Sequence, residues 1–175
     1  EVFGPDAESV ALAWRFPGAA SKEAEILEVV SQILYNGQAG LIDLNLTQQQ
    51  KTLSAYCYPM SMSDYSALMM QGRPKQGQTL DEVKDLLLGE VKKLRNGDFD
   101  EKILEANINN FKLNQLYRLD SNGARANWFV QSFVNGSDWA DEVNQLNRIS
   151  RLTKADIVAF ANQYLEDTNY AIIYK

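Results

Sequence analysis

From Thr79 to Tyr164 the apolar residues recur at helical spacing, and the β-like runs lie only before that stretch and at the extreme end of the chain. Such a chain lacks the regular alternation of strand and helix that a parallel sheet requires. The order implies an α+β fold: a mostly antiparallel sheet of about four strands, with six or seven helices stacked on one face.

Val10 to Phe16 is apolar and β-compatible, and Pro17-Gly18 stops it. Ser21 opens a helix with Ala24, Leu27, Val30 and Leu34 on one face, widened by Ile26, Val29 and Ile33, so the helix is largely buried. Asn36-Gly37 ends it, and Gly37-Gln38-Ala39-Gly40 leads into a short helix or turn over Leu41 to Leu46. Two strands follow, Thr52 to Tyr58 and one within Asp64 to Gln71, and the short link from Pro59 to Ser63 makes them antiparallel neighbours. Gly72-Arg73-Pro74 reads as the break.

Thr79-Leu80-Asp81-Glu82 is a capping box whose helix carries Leu80, Val83, Leu87, Val91 and Leu94 and stops at Asn96-Gly97. Asp98 to Glu101 repeats the capping signal, and the next helix shows Leu104, Ile108, Phe111, Leu116 and Leu119. Ser121-Asn122-Gly123 interrupts it before Ala126, Phe129, Val130 and Phe133 resume the spacing, and Asn135-Gly136-Ser137 breaks it again. A short helix holds Trp139, Val143 and Leu146, Thr153 to Asp156 caps a final one with Ile157, Phe160 and Tyr164, and Tyr170 to Tyr174 returns as a strand. With no internal linker, residues 1–175 read as one domain. The start, Glu1 to Pro5, has neither an initiator Met nor a targeting segment and reads as a segment of a longer chain.

Composition narrows the function. The 175 residues are 45% apolar and 23% charged, a globular balance. A net charge of -6 argues against nucleic acid or an anionic membrane as partner, and no apolar run approaches the ~20 residues of a membrane span. Cys57 stands alone, which rules out an internal disulfide, and its β-like surroundings without a neighbouring cation suggest a buried thiol. There is no histidine at all. Ser-His-Asp and Cys-His sites are therefore excluded, as is any His-ligated zinc, and one cysteine cannot build a thiolate cage. No metal or other cofactor is expected in this segment.

The remaining polar features have structural explanations. Asp81/Glu82, Asp98/Asp100 and Asp141/Glu142 could form acid/base pairs, yet all lie at helix starts, where negative charge gains ~0.3–1 kcal/mol from the helix dipole. The Gly37–Gly40 loop lacks the Gly-Lys-Ser/Thr ending of a P-loop. Arg118 and Arg125 flank a helix break, where either could pair with a substrate carboxylate but an intramolecular salt bridge or helix-end contact is favoured, and Trp14, Trp128 and Trp139 suit core or interface anchors.

Taken in order, these segments resemble the non-catalytic second core domain of the pitrilysin/insulinase zinc metallopeptidases, relatives of insulin-degrading enzyme and the mitochondrial processing peptidase. The resemblance rests on the opening strand and helix, the small-residue loop Gly37 to Leu44, the strand Leu53-Ser54-Ala55-Tyr56, and the joint Leu94 to Glu101. Ser121 to Arg125, the entry Ile149 to Asp156, and Tyr164-Leu165 before the closing strand continue it. The family's zinc signature, His-x-x-Glu-His, is absent from this chain. The resemblance implies zinc in another domain of the parent, a catalytic peptidase domain on the same chain or a partner subunit, and a peptide substrate. It also implies that Tyr56, Gly37 and Gly40 face that substrate. Many such domains carry an Arg seven residues before the tyrosine, but here that position is Gln49. An inactive scaffold or adaptor module of the same fold is the alternative, and a small-ligand binding protein a third.

Overall fold

The computed structural model describes residues 7–175, so the reading of Glu1 to Pro5 lies outside the described residues. Strands β1 (Val10–Pro17), β2 (Ser54–Ser61), β3 (Tyr65–Arg73) and β4 (Ala171–Tyr174) form one sheet in the order β2-β3-β1-β4, and every neighbouring pair is antiparallel. The helices are α1 (Lys22–Leu34), α2 (Leu80–Asn96), α3 (Glu101–Asp120), α4 (Asn122–Asn135), α5 (Trp139–Ile149) and α6 (Lys154–Tyr164), with a π-helical turn at Asp43–Thr47. This is the α+β arrangement expected from the order of apolar patterns.

Helix starts coincide with short polar side chains that accept a free N–H of the first turn: Ser21, Thr79, Asp100, Ser121, Asp138 and Thr153. Thr79 with Glu82 and Thr153 with Asp156 complete reciprocal capping boxes. The carboxylate pairs thus sit at helix ends, as Asp81/Glu82 in α2, Asp100 before α3 and Asp141/Glu142 in α5.

Alternation in the strands puts one face of the sheet into the core. Val10, Leu12, Trp14 and Phe16 of β1, Leu68 and Met70 of β3, and Ala55 and Cys57 of β2 are buried. They meet Leu27, Val30 and Leu34 of α1, Val83, Leu87 and Val91 of α2, and Ile157, Phe160 and Ala161 of α6 in one cluster. Cys57 is buried as expected, and burial pushes its thiol far above the usual range. The π-helical turn is tied to α2 through the buried Glu90, which accepts from Asn45 Nδ2 at 2.7 Å and from Lys93 Nζ at 2.9 Å.

Two expectations need correction. Gly72-Arg73 does not break the second strand: β3 runs through both, with Gly72 paired to Val10 and to Ala55, and it ends before Pro74. Gly72 is there for space, because a Cβ at this position would come within 2.5 Å of Val83 Cγ1 on the overlying α2. Likewise Pro59, read as part of the link, is inside β2, where an edge strand tolerates the missing N–H. The helical spacing of Leu116, Leu119, Phe129, Val130 and Phe133 is real, yet all five are exposed, Phe133 by 87%. On α4 the buried side chains are Trp128 and Ser132 instead.

Substituting Gly72→Ala is expected to destabilise the chain by about 1–3 kcal/mol, the usual range for overpacking. Val83→Ala in the same chain should recover part of that loss. Urea unfolding of the single and double variants checks both, and additive losses would show that the two positions do not touch.

Candidate functional site

The sheet face opposite the helices is assembled in three rows by the strand register. Tyr56, Gln71, Ala11 and Ile173 form one row, Tyr58, Met69, Ala13 and Ala171 the next, and Met60, Ala67 and Arg15 the third. Alanine holds the β1 position of the first two rows and the β3 position of the third, with Tyr and Met side chains on the β2 edge. The result is an open, largely apolar sheet face. Tyr58, Met60 and Ile173 are exposed by 39%, 41% and 63%. Arg15 lies over the Tyr65 ring at 4.9 Å.

Tyr56 belongs to this open face. Its ring is 6.2 Å from that of Tyr58, and its hydroxyl donates to Gln71 Oε1 at 2.6 Å. The phenol is therefore tied to a neighbour in its own row, on the adjacent strand.

Gly37 and Gly40 lie elsewhere, in the loop between α1 and the π-helical turn, and their hydrogen bonds run to that loop and turn rather than to Tyr56. Asp43 Oδ2 accepts three backbone N–H groups, from Asn36 at 3.0 Å, Gly37 at 3.1 Å and Gly40 at 3.0 Å. Asn36 Oδ1 accepts those of Gln38 at 3.0 Å and Ala39 at 2.8 Å. All five N–H groups from Asn36 to Gly40 are thus occupied, and the anion held by this loop is the chain's own Asp43 carboxylate. A phosphate would find no donor there. Gly40 is required by close packing, since a Cβ would lie 2.7 Å from Leu34 O, whereas Gly37 is required by its φ of +79°. Asp43 was not singled out from sequence, although an Asp at a helix start just beyond a Gly-x-x-Gly loop is the signal that could have found it.

The polar residues weighed from sequence are engaged within the fold. Arg125 bonds to Asn122, the Arg118 guanidinium lies 4.8 Å over the Trp128 ring, and Trp128 Nε1 donates to Glu142 Oε2 at 3.0 Å. Trp14 is buried, and Trp139 stacks on Phe129 with centroids 4.1 Å apart. Among the described residues no group of three or more Asp, Glu or Cys side chains is arranged to hold a metal ion. The donor set does not fit zinc either, because the one thiol is buried among apolar side chains and there is no imidazole. No helix among the described residues is long and apolar enough to cross a membrane.

A sequence profile of the peptidase M16 inactive domain matches residues 2–111. This chain belongs to the peptidase M16 inactive-domain family. The zinc protease PqqE of Helicobacter pylori is 22% identical over 98% of the chain, which spans 38% of that protein's length. The crystal structure of a protease from Helicobacter pylori superposes with a TM-score of 0.88 at 21% identity, over 95% of this chain and 40% of that one. An inactive peptidase domain from Bordetella parapertussis superposes with a TM-score of 0.83 at 16% identity, over 99% of this chain and 94% of that one. The likeness to pitrilysin-type metallopeptidases read from sequence order therefore holds for family and for fold. The M16 inactive domain spans about two fifths of the curated relative it matches.

Replacing Asp43 with Ala leaves three loop N–H groups without their acceptor, and the expected cost is about 2–4 kcal/mol. Faster hydrogen exchange at Asn36, Gly37 and Gly40, with protection in the sheet retained, is the accompanying signature. Unchanged exchange at these three amides would contradict the role given to Asp43.

Proposed function

We propose that this chain is the non-catalytic domain of an M16 zinc metallopeptidase and forms part of the wall of a chamber in which peptide is held. Zinc and the general base are supplied by a catalytic domain, on the same chain or on a partner subunit. Residues 1–175 act as one unit, which the continuous core from β1 to Leu165 supports. The open sheet face with Tyr56 is the surface turned toward peptide or toward the catalytic domain, and the Gly37–Gly40 loop contributes shape rather than hydrogen-bond donors. The observation that carries this reading is the pairing of family membership with a chain devoid of histidine. Such a chain has no means of gripping a hydrolytic zinc ion.

Purified chain incubated with zinc and a quenched fluorescent peptide is expected to give no cleavage, and mixing it with the zinc-bearing half of its parent is expected to give turnover. Tyr58→Glu, on the exposed β2 edge of the open face, should lower that reconstituted turnover about tenfold or more while leaving the melting temperature of the chain within a few degrees. Zinc-dependent cleavage by the chain alone would overturn the reading. A parent whose neighbouring segments carry no His-x-x-Glu-His at all would favour the scaffold role instead.

A further inference from the structure

A concave region lies on the helical side of the molecule, away from the open sheet face. It is a cavity of about 360 Å³ between α1, α3, α4 and α5, and it shares its floor with an adjoining hollow of about 160 Å³. The floor is apolar, with Phe111 of α3, Trp128 of α4 and Ile149 of α5. The main cavity stands at the small end of the ~300–1,000 Å³ range of ligand sites, and polar side chains, among them Ser61, Gln131, Asn135 and Gln145, line it beside that apolar floor.

The charges on its walls are not equivalent. Glu25 is matched, since Arg148 Nε donates to its Oε2 at 2.9 Å. Glu142 accepts the Trp128 indole N–H at 3.0 Å. Glu28, in the middle of α1, has neither a hydrogen bond to its carboxylate nor a cation within ion-pair distance among the described residues, and burial raises its carboxyl above the ordinary value. Across the cavity Arg118 stacks on the Trp128 ring at 4.8 Å, and no carboxylate among the described residues lies within ion-pair distance of its guanidinium. Glu28 and Arg118 thus stand on different helices around one cavity, each without a charged or hydrogen-bonded carboxylate or guanidinium partner, and not within ion-pair distance of each other.

We propose that this cavity binds a small zwitterion, an α-amino acid or a dipeptide with an apolar side chain. The ligand ammonium meets Glu28 on the inner wall, the carboxylate meets Arg118 at the exposed rim, and the side chain lies on Phe111 and Ile149. A ligand of this class supplies each wall with the counter-charge the fold withholds, and charge-assisted hydrogen bonds are the stronger kind. A free amino acid and the end product of peptide hydrolysis share this chemistry. The inference does not rest on the chamber-wall reading.

Calorimetric titration of the chain with leucine, leucyl-leucine, N-acetylleucine and leucinamide tests it. Leucine or leucyl-leucine is expected to bind with a dissociation constant of about 1 mM or tighter. N-acetylleucine and leucinamide, each lacking one charge, should bind about tenfold more weakly. Glu28→Gln should erase the preference for leucine over N-acetylleucine, and Arg118→Gln the preference for leucine over leucinamide. Tighter binding of leucine assigns the free amino acid, and tighter binding of the dipeptide assigns a hydrolysis product.

The Glu28→Gln variant carries its own folding control. The raised carboxyl means that the folded chain holds this proton more tightly than the unfolded chain does. The stability it contributes is therefore present below the ordinary value of 4.5 and is lost as pH rises through the raised value. The variant is then expected to melt above the native chain at neutral pH, with the difference closing on acidification. Glu25, Glu142, Arg118 and Arg148 face the same space and are unchanged in the comparison. Failure of the native chain to bind any of the four probes at about 10 mM would overturn the proposal. So would binding that neither substitution alters.

Discussion

The fold depends on the alternation within β1, which is flanked by β3 and β4. Its even-numbered residues, Val10, Leu12, Trp14 and Phe16, are all buried beneath the helices, and the odd-numbered Ala11, Ala13 and Arg15 point the other way. Burying a large apolar side chain contributes ~1.5–3 kcal/mol, so a slip of one residue in this strand would expose the whole set at once. Register in β1 thereby decides which face of the sheet is dry. It also aligns the Tyr, Met, Ala and Ile rows of the open face.

Given that asymmetry, the polar groups fall into structural duties. Asp43 organises a loop, Glu90 joins the π-helical turn to α2, Glu25 holds α5 against α1 through Arg148, and Glu82, Asp100, Asp138 and Asp156 cap helices. What persists across a superposition with a TM-score of 0.88 at 21% identity is the fold. A chain without imidazole, in the peptidase M16 inactive-domain family, lacks the side chains of a His-ligated zinc site. The open sheet face and the cavity among the helices lie on different sides of the sheet.

Most of the architecture was legible because local chemistry and global packing agree. Thr79 with Glu82 and Thr153 with Asp156 mark helix starts by a reciprocal bond that is wholly local, and the structure forms both. Gly72 was read as a breaker because its meaning is tertiary: only the position of Val83 on the overlying α2 shows why a side chain is excluded. The exposed row from Leu116 to Phe133 carries a genuine helical period, but period alone does not say whether anything lies against it. Asp43 and Glu28 escaped notice for a related reason. Their roles depend on which backbone groups or charges the fold brings near them, or keeps away. Tyr56 could be placed on a strand from sequence, but its position on the open face required the register with Gln71.

Thiol labelling tests the one-sided sheet most directly, because Cys57 and Ile173 lie on opposite faces of it. The Ile173→Cys chain, treated with a water-soluble maleimide and read by mass spectrometry after digestion, provides both positions in one molecule. If one face is sealed and the other open, position 173 labels rapidly in the folded chain, and Cys57 labels only when denaturant unfolds it. Labelling of Cys57 at the same rate as position 173 under native conditions, or protection of position 173, would contradict a sheet packed on one side alone.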